Sequence, residues 1–266
     1  MKILARLPAL SAVLVLGLAA LVGCSDGSDP APVAPPEVTP EEVPDPKLVI
    51  VEPGEDFQRR LIEAFINVEP GQTIELPAGE YALDAQLSLD VDNVTVRGQG
   101  QGETLLDFGT QVSGGESILV TSNNVVLEDF AVIDAPSDGI KFKFSNGVTL
   151  RSVRVEWTCG ACEENGAYGL YPVQTKNVLI EDCEVIGASD AGIYVGQSDK
   201  IIVRRNRVSL NVAGIEIENS TDSDVYDNVA ENNTGGILVF DLPNLSVDGA
   251  RARIFDNTIR DNNTAN

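Results

Sequence analysis

The chain has no histidine among its 266 residues. That removes the commonest general base near neutral pH and the commonest metal ligand, so any chemistry must run on carboxylates, lysines or phenols. Bases are also scarce: 18 Lys and Arg stand against 41 Asp and Glu, for a net charge of −23. A surface of that sign favours solubility and repels polyanions, so no nucleic-acid partner is expected. Aromatics are sparse at 5 %, whereas Gly and Asn recur through the second half.

Lys2 and Arg6 precede a short apolar run from Leu7 to Gly23 that ends in small residues, the pattern of an export signal over 1–23. A transmembrane helix is the other reading of such a run. The tetrad Leu21-Val22-Gly23-Cys24 resembles the bacterial lipoprotein box. The resemblance implies that Cys24 is lipidated and becomes the first mature residue, which anchors the protein without a spanning segment. Ser25, rather than Asp, follows the cysteine. By the same resemblance this implies a cell-envelope protein of the outer membrane, facing the periplasm or the cell surface. From Ser25 to Lys47 the chain holds seven of its 14 prolines and six acids. Such a stretch cannot build a core, so 24–48 reads as an extended linker.

Beyond it the sequence repeats. A small-Gly-apolar start occurs at Asp138-Gly139-Ile140, Tyr168-Gly169-Leu170, Ala191-Gly192-Ile193, Ala213-Gly214-Ile215 and Gly235-Gly236-Ile237, and the glycines step by 30, 23, 22 and 22. A second register, Val96, Leu127, Leu150, Ile180, Val203, Val225 and Ile254, steps by 31, 23, 30, 23, 22 and 29. Short alternating apolar runs between Gly, Asn, Asp and Ser mean strands and turns. A strand so short buries its apolar face only when equivalents from successive units stack about 4.8 Å apart. Asn206, Asn228 and Asn257 share one turn position, filled in earlier units by Cys183, Val153 and Phe130. That position therefore points inward, with amides placed to bond along the axis.

This pattern resembles that of the right-handed parallel β-helix, over residues 70 to 266. The stretches Asn165–Pro172, Ser189–Tyr194 and Gly236–Asp241 are similar to prokaryotic β-helix repeat lipoproteins. Those are relatives of the carbohydrate-binding and sugar-hydrolase repeat proteins, pectate lyase-like and mannuronan epimerase-like. The expected fold is all-β, a single-stranded right-handed parallel β-helix over 49–266, with an N-terminal capping α-helix in 49–70 and coils from 71 to 266. The cap is read from Phe57, Leu61, Ile62, Phe65 and Ile66 on one helical face. The repeat breaks off where the next Gly-Ile is due, so the natural product is expected to continue past Asn266.

Alternation turns two columns outward: Leu119, Lys141, Tyr171, Tyr194, Glu216, Leu238, and Thr121, Lys143, Val173, Gly196, Glu218, Phe240. One coil step is comparable to one sugar residue, and aromatic faces stack on sugar C–H surfaces while charged groups bond hydroxyls and carboxylates. Lys141, Lys143, Tyr171, Tyr194, Glu216, Glu218 and Phe240 are thus the candidate ligand residues, and a polysaccharide or cell-surface glycan is the expected partner. A merely solvated sheet face is the competing reading. The excursion Trp157 to Ala167 lies where it would wall this face.

Catalysis would fall to Glu216 and Glu218, with Asp190 and Asp241 near, as the carboxylates of a hydrolase, or to Lys141, Lys143, Tyr171 and Tyr194 as base, acid and charge neutraliser of a lyase or C-5 epimerase acting on uronic-acid polymers. Alginate epimerases of this fold carry an Asp-Pro-His-Asp motif and polygalacturonases a histidine, and this chain has neither. No compact metal-ligand motif occurs and no cofactor is called for; calcium held by clustered acids stays open as an alternative. Cys159 and Cys162 form C-x-x-C on the excursion, read first as a loop-closing disulfide, then as a redox pair. Cys183 reads as an inert inward thiol.

Overall fold

The computed structural model describes residues 47–264, and within them the chain winds through coils of three short strands. The signal segment 1–23, Cys24 and nearly all of the linker lie outside the described residues. One strand of each coil joins a seven-stranded sheet that runs Ala85–Leu89, Ser113–Val120, Asp138–Lys143, Leu170–Val173, Ala191–Gly196, Ala213–Glu218, Gly235–Phe240. The other two strands of each coil enter one 15-stranded sheet. They are continuous there because Val125–Ile133 and Asn146–Glu156 each run unbroken round a corner. Pairing is parallel throughout, each strand bonding its equivalent one coil away, as in Ala191 with Ala213 and Val203 with Val225. This is a parallel β-helix, and both sequence registers coincide with its coils.

Inside, Val96, Leu127, Leu150, Ile180, Val203 and Val225 stack as one column, all at most 1 % exposed. At the corner that follows, Asp129, Ser152, Asp182, Arg205, Asp227 and Asp256 all take the left-handed backbone conformation, with φ between 50° and 61°. Asp tolerates that region better than most residues, hence the acidic corner. The next residue points inward: Phe130, Val153, Cys183, then Asn206 and Asn228, all buried. The amides bond along the axis as expected. Asn206 Nδ2 donates to Asn228 Oδ1 at 2.9 Å, and Asn228 Nδ2 donates to Asn257 Oδ1 at 2.9 Å. A second ladder, not read from the sequence, repeats this at the following corner. There Asn211 Nδ2 donates to Asn233 Oδ1 at 2.9 Å, and Asn233 Nδ2 to Asn262 Oδ1 at 2.9 Å.

The helix spans Phe57–Asn67 and packs on Gly79–Ala82 and Ala85–Leu89 of the first coil. Phe57 stacks on Tyr81 with ring centroids 3.6 Å apart. Its buried stripe is Phe57, Leu61, Ala64 and Phe65. Ile66, expected in that stripe, is 67 % exposed: at 100° per residue it rotates past the face that Leu61 and Phe65 define.

The arginines line the outside of the long sheet. Arg97 reaches Glu128 (2.8 Å), Arg151 reaches Glu128 (3.2 Å) and Glu181 (2.8 Å), and Arg204 and Arg205 both reach Glu181 (2.7 Å). Burial alone would raise the Glu181 carboxyl, but three guanidiniums hold it down at about 2. The few bases of this acidic chain are thus largely spent in tying coil to coil.

Asn228 sits mid-ladder at 1 % exposure, so its loss orphans buried groups on both neighbours. Asn228→Ala is expected to cost at least about 2 kcal/mol in urea denaturation. Asn177→Gly, on an exposed amide ladder, is expected to cost less than about 1 kcal/mol.

Candidate functional site

Lys141, Tyr171, Tyr194 and Glu216 stand in adjacent coils of the seven-stranded sheet, in one unbroken column flanked by Leu119 and Leu238. Lys143, Val173, Gly196, Glu218 and Phe240 form the next column. All seven candidate ligand residues therefore share one face. They do not share one exposure. Lys143 is exposed, Lys141, Tyr171, Glu216 and Phe240 are half-buried, and Tyr194 and Glu218 are buried at 6 % and 7 %.

The cause lies in a glycine. Tyr194 lies down along its own strand over Gly196, where an added Cβ would come 2.4 Å from the phenol oxygen. Lying so, the phenol comes beside the Glu218 carboxylate. Tyr168 completes the cluster: its ring centroid is 4.5 Å from that of Tyr171 and 4.9 Å from that of Tyr194, and Tyr171 meets Tyr194 edge-on at 4.9 Å. Room for three rings comes from Ala191 and Ala213, small residues in the column that also holds Glu116 and Asp138. The sheet face is thus roofed by its own tyrosines.

The excursion after Trp157 bears on the same place. Trp157 Nε1 donates to the Ala135 carbonyl at 2.6 Å, and a disulfide joins Cys159 and Cys162, their Cα atoms 6.0 Å apart. The excursion ends on the next coil, where the Ser189 and Asp190 amides donate to the Gly166 and Ala167 carbonyls at 3.0 and 3.1 Å. Tyr168 follows directly and brings its phenol beside Asp190. Cys183 is buried away from the site, and burial pushes its thiol up to about 12.

Charge on this face is arranged unevenly. At one end Lys141 Nζ pairs with Glu116 (2.9 Å) and Asp138 (3.2 Å) and lies 4.5 Å from the Tyr171 ring centre. Burial opposes its charge, yet those two carboxylates keep the ammonium above the ordinary lysine range. Burial and a neighbouring carboxylate each raise Tyr168 and Tyr194; burial also raises Tyr171, against the pull of Lys141. All three phenols are therefore hydrogen-bond donors at neutral pH and poor bases. At the other end Glu216 is pushed up to about 7, first by burial and then by Asp190 and Glu218. Among the described residues no cation pairs with it, and no group of three acids or cysteines converges as metal ligands. The calcium alternative finds no preformed cage there.

Sequence reasoning placed Asp190 near Glu216 but missed Tyr168, Glu116 and Asp138. Tyr168 and Asp138 stood in view as the residues before Gly169 and Gly139, read only as strand starts. Glu116, Asp138 and Tyr168 stand three residues before Leu119, Lys141 and Tyr171, beyond the glycine position where strict alternation ends, so the alternation did not reach them.

Residues 116–265, more than half of the chain, match the family model described as the right handed beta helix region. The chain belongs to that family. Among solved structures this β-helix is similar to the mannuronan C-5 epimerase AlgE4 A-module of Azotobacter vinelandii. The TM-score is 0.57 and the identity 22 %, over 76 % of this chain and 62 % of that one. It is also similar to the alginate lyase of Paenibacillus sp. str. FPU-7, with a TM-score of 0.51 and 17 % identity, over 79 % of this chain and 74 % of that one. Likeness at those identities is a likeness of fold. The pre-neck appendage protein of Bacillus phage B103 is 24 % identical over 67 % of this chain, which spans only 25 % of that protein's length. The β-helix fold is shared, then, by carbohydrate-active enzymes and a phage appendage.

Glu216 carries a direct test. A carboxyl at about 4.3 in the unfolded chain and about 7 when folded binds more protons in the folded state. Its contribution is full below about pH 4 and is lost as pH rises through 7. Glu216→Gln is therefore expected to raise Tm by about 2–4 °C at pH 8 and to leave it unchanged at pH 4, measured by thermal melts.

Proposed function

We propose that the protein is a cell-envelope lipoprotein, anchored through Cys24, whose β-helix binds a carbohydrate polymer along the seven-stranded sheet. One observation carries the binding reading: Lys141, Tyr171 and Glu216 present a cation, a phenol and a carboxyl on one outward face, within a single column of consecutive coils. Coils lie about 4.8 Å apart, close to the repeat of a sugar chain. Tyr171 offers its half-buried ring to a sugar's C–H face, and the neighbouring groups bond hydroxyls. The similar solved structures of a mannuronan epimerase and an alginate lyase support a polysaccharide as the class of ligand. The lipoprotein reading rests on the sequence Leu21-Val22-Gly23-Cys24.

A second reading, a polysaccharide lyase or C-5 epimerase, is favoured by one feature. A carboxyl held at about 7 gives and takes a proton at neutral pH. Against it stand the raised phenols and the lack of histidine.

Glycan-array binding separates the readings. Tyr171→Ala is expected to weaken the wild-type signal at least about fivefold, while Ile202→Ser on the opposite sheet leaves it unchanged. Equal signals from all three proteins would leave the tyrosine face without support, and no signal from any of them would leave a structural solenoid. Absorbance in the unsaturated-uronate band is expected to stay flat with and without calcium; a rise would put the enzyme reading first.

A further inference from the structure

Where the seven-stranded sheet ends, four successive coils turn a corner through one residue in the left-handed region: Phe144 (φ 59°), Gln174 (φ 55°), Gln197 (φ 50°) and Asn219 (φ 42°). Asn219 uses the position structurally. Its amide donates to the carbonyls of Leu242 and Val247 at 3.1 and 2.8 Å, fixing the loop that follows Phe240. Phe144 has no such use. A bulky aromatic is disfavoured at positive φ, and this one is 65 % exposed, so it takes the backbone strain without the reward of burial. Strained, exposed aromatics are chosen for something other than folding.

Its surroundings say what. Phe144, Gln174, Lys176 and Gln197 line a groove together with Asp199 and with Ser246 and Val247 of the loop that follows Phe240. Lys143 Nζ lies 5.1 Å from the Phe144 ring centre. Nearly every other described cation is engaged by a carboxylate, a carbonyl or another partner, as in the arginine ladders and at Lys141. The ammonium groups of Lys143 and Lys176, by contrast, make no hydrogen bond or ion pair among the described residues, and the same holds for Lys200, which lies outside this groove. Two uncommitted ammonium groups beside one exposed ring are out of character for a chain of net charge −23. At physiological salt the Debye length is about 8 Å, so acids elsewhere on the surface are screened from a ligand at Phe144, and the one acid lining the groove, Asp199, already accepts a hydrogen bond from Thr221 at 2.6 Å.

We infer that this corner is a subsite for an anionic sugar unit, its ring stacked on Phe144 and its carboxylate or sulfate held by Lys143 and Lys176. The amides of Gln174 and Gln197, one coil apart, bond the hydroxyls of the next units. The subsite borders the column of Lys143, Glu218 and Phe240 and rests on the carbohydrate reading given above, whose polymer it specifies as acidic.

The test measures binding of the whole chain to polygalacturonate, dextran sulfate and uncharged dextran by affinity electrophoresis. Wild type is expected to be retarded by at least one of the two polyanions and not by dextran, and the better polyanion names the anion. Retardation by dextran equal to that by both polyanions would overturn the inference. Phe144→Asn supplies a residue suited to the left-handed region, so its Tm is expected to rise by about 2 °C. Its binding is expected to weaken about fivefold; wild-type affinity in this variant would overturn the subsite. The pair Lys143→Gln with Lys176→Gln, both on exposed side chains, is expected to abolish the preference for a polyanion, and a preserved preference would overturn it as well. If Tyr171→Ala binds poorly and Phe144→Asn normally, only the corner falls. If the reverse is found, only the sheet-face reading falls.

Discussion

Within the coils, inward side chains rest on their own equivalents in the coils before and after them. That constraint, in-register stacking of parallel strands, sets the rest. It makes a column of the fold out of any position of the repeat, so Val96 to Val225 form one continuous apolar seam. Buried amides become tolerable because each passes its hydrogen bonds to the next, from Asn206 through Asn228 to Asn257. A single unpaired amide at such depth would be costly; a run of them satisfies nearly all its groups and fixes the register.

Outside, the same constraint sorts charge and aromatic area by face. The long sheet alternates arginine and glutamate in a column, which suits a surface that only has to hold coils together. On the seven-stranded sheet the pattern is different: three tyrosines meet over Ala191 and Ala213, one lysine is enclosed by two acids, and Glu216 has neither cation nor side-chain hydrogen-bond partner among the described residues. Packing the rings against each other stiffens the face, and it also leaves Tyr171 better placed than Tyr194 to meet a ligand. The corner beyond, with Phe144 in a strained backbone, extends that asymmetry away from the sheet.

Much of the architecture was legible in the sequence because its period is short and its alternation strict. Glycines 22 residues apart defined the coils, and Asn206, Asn228 and Asn257 defined an inward corner. The exposure of the outward columns was not legible. Alternation says which way a side chain leaves the backbone, not whether its neighbour then covers it, and Tyr194 is covered because Gly196 lets it lie flat. The arginine ladder escaped notice for a related reason: salt bridges between coils join residues 23 to 31 apart, and no local pattern marks them. The helix stripe was read one residue too wide, at Ile66.

Register is the quantity on which these conclusions converge, and paired cysteines measure it. Leu179 and Ile202 are Cα partners on the outer face of the long sheet, about 4.8 Å apart and within bridging reach. Leu179→Cys with Ile202→Cys is expected to oxidise to an intramolecular disulfide. Leu179→Cys with Lys200→Cys, two residues out of register and about 8 Å apart, is expected to stay reduced. Equal bridging in both proteins, or bridging only in the second, would contradict the stacked coil.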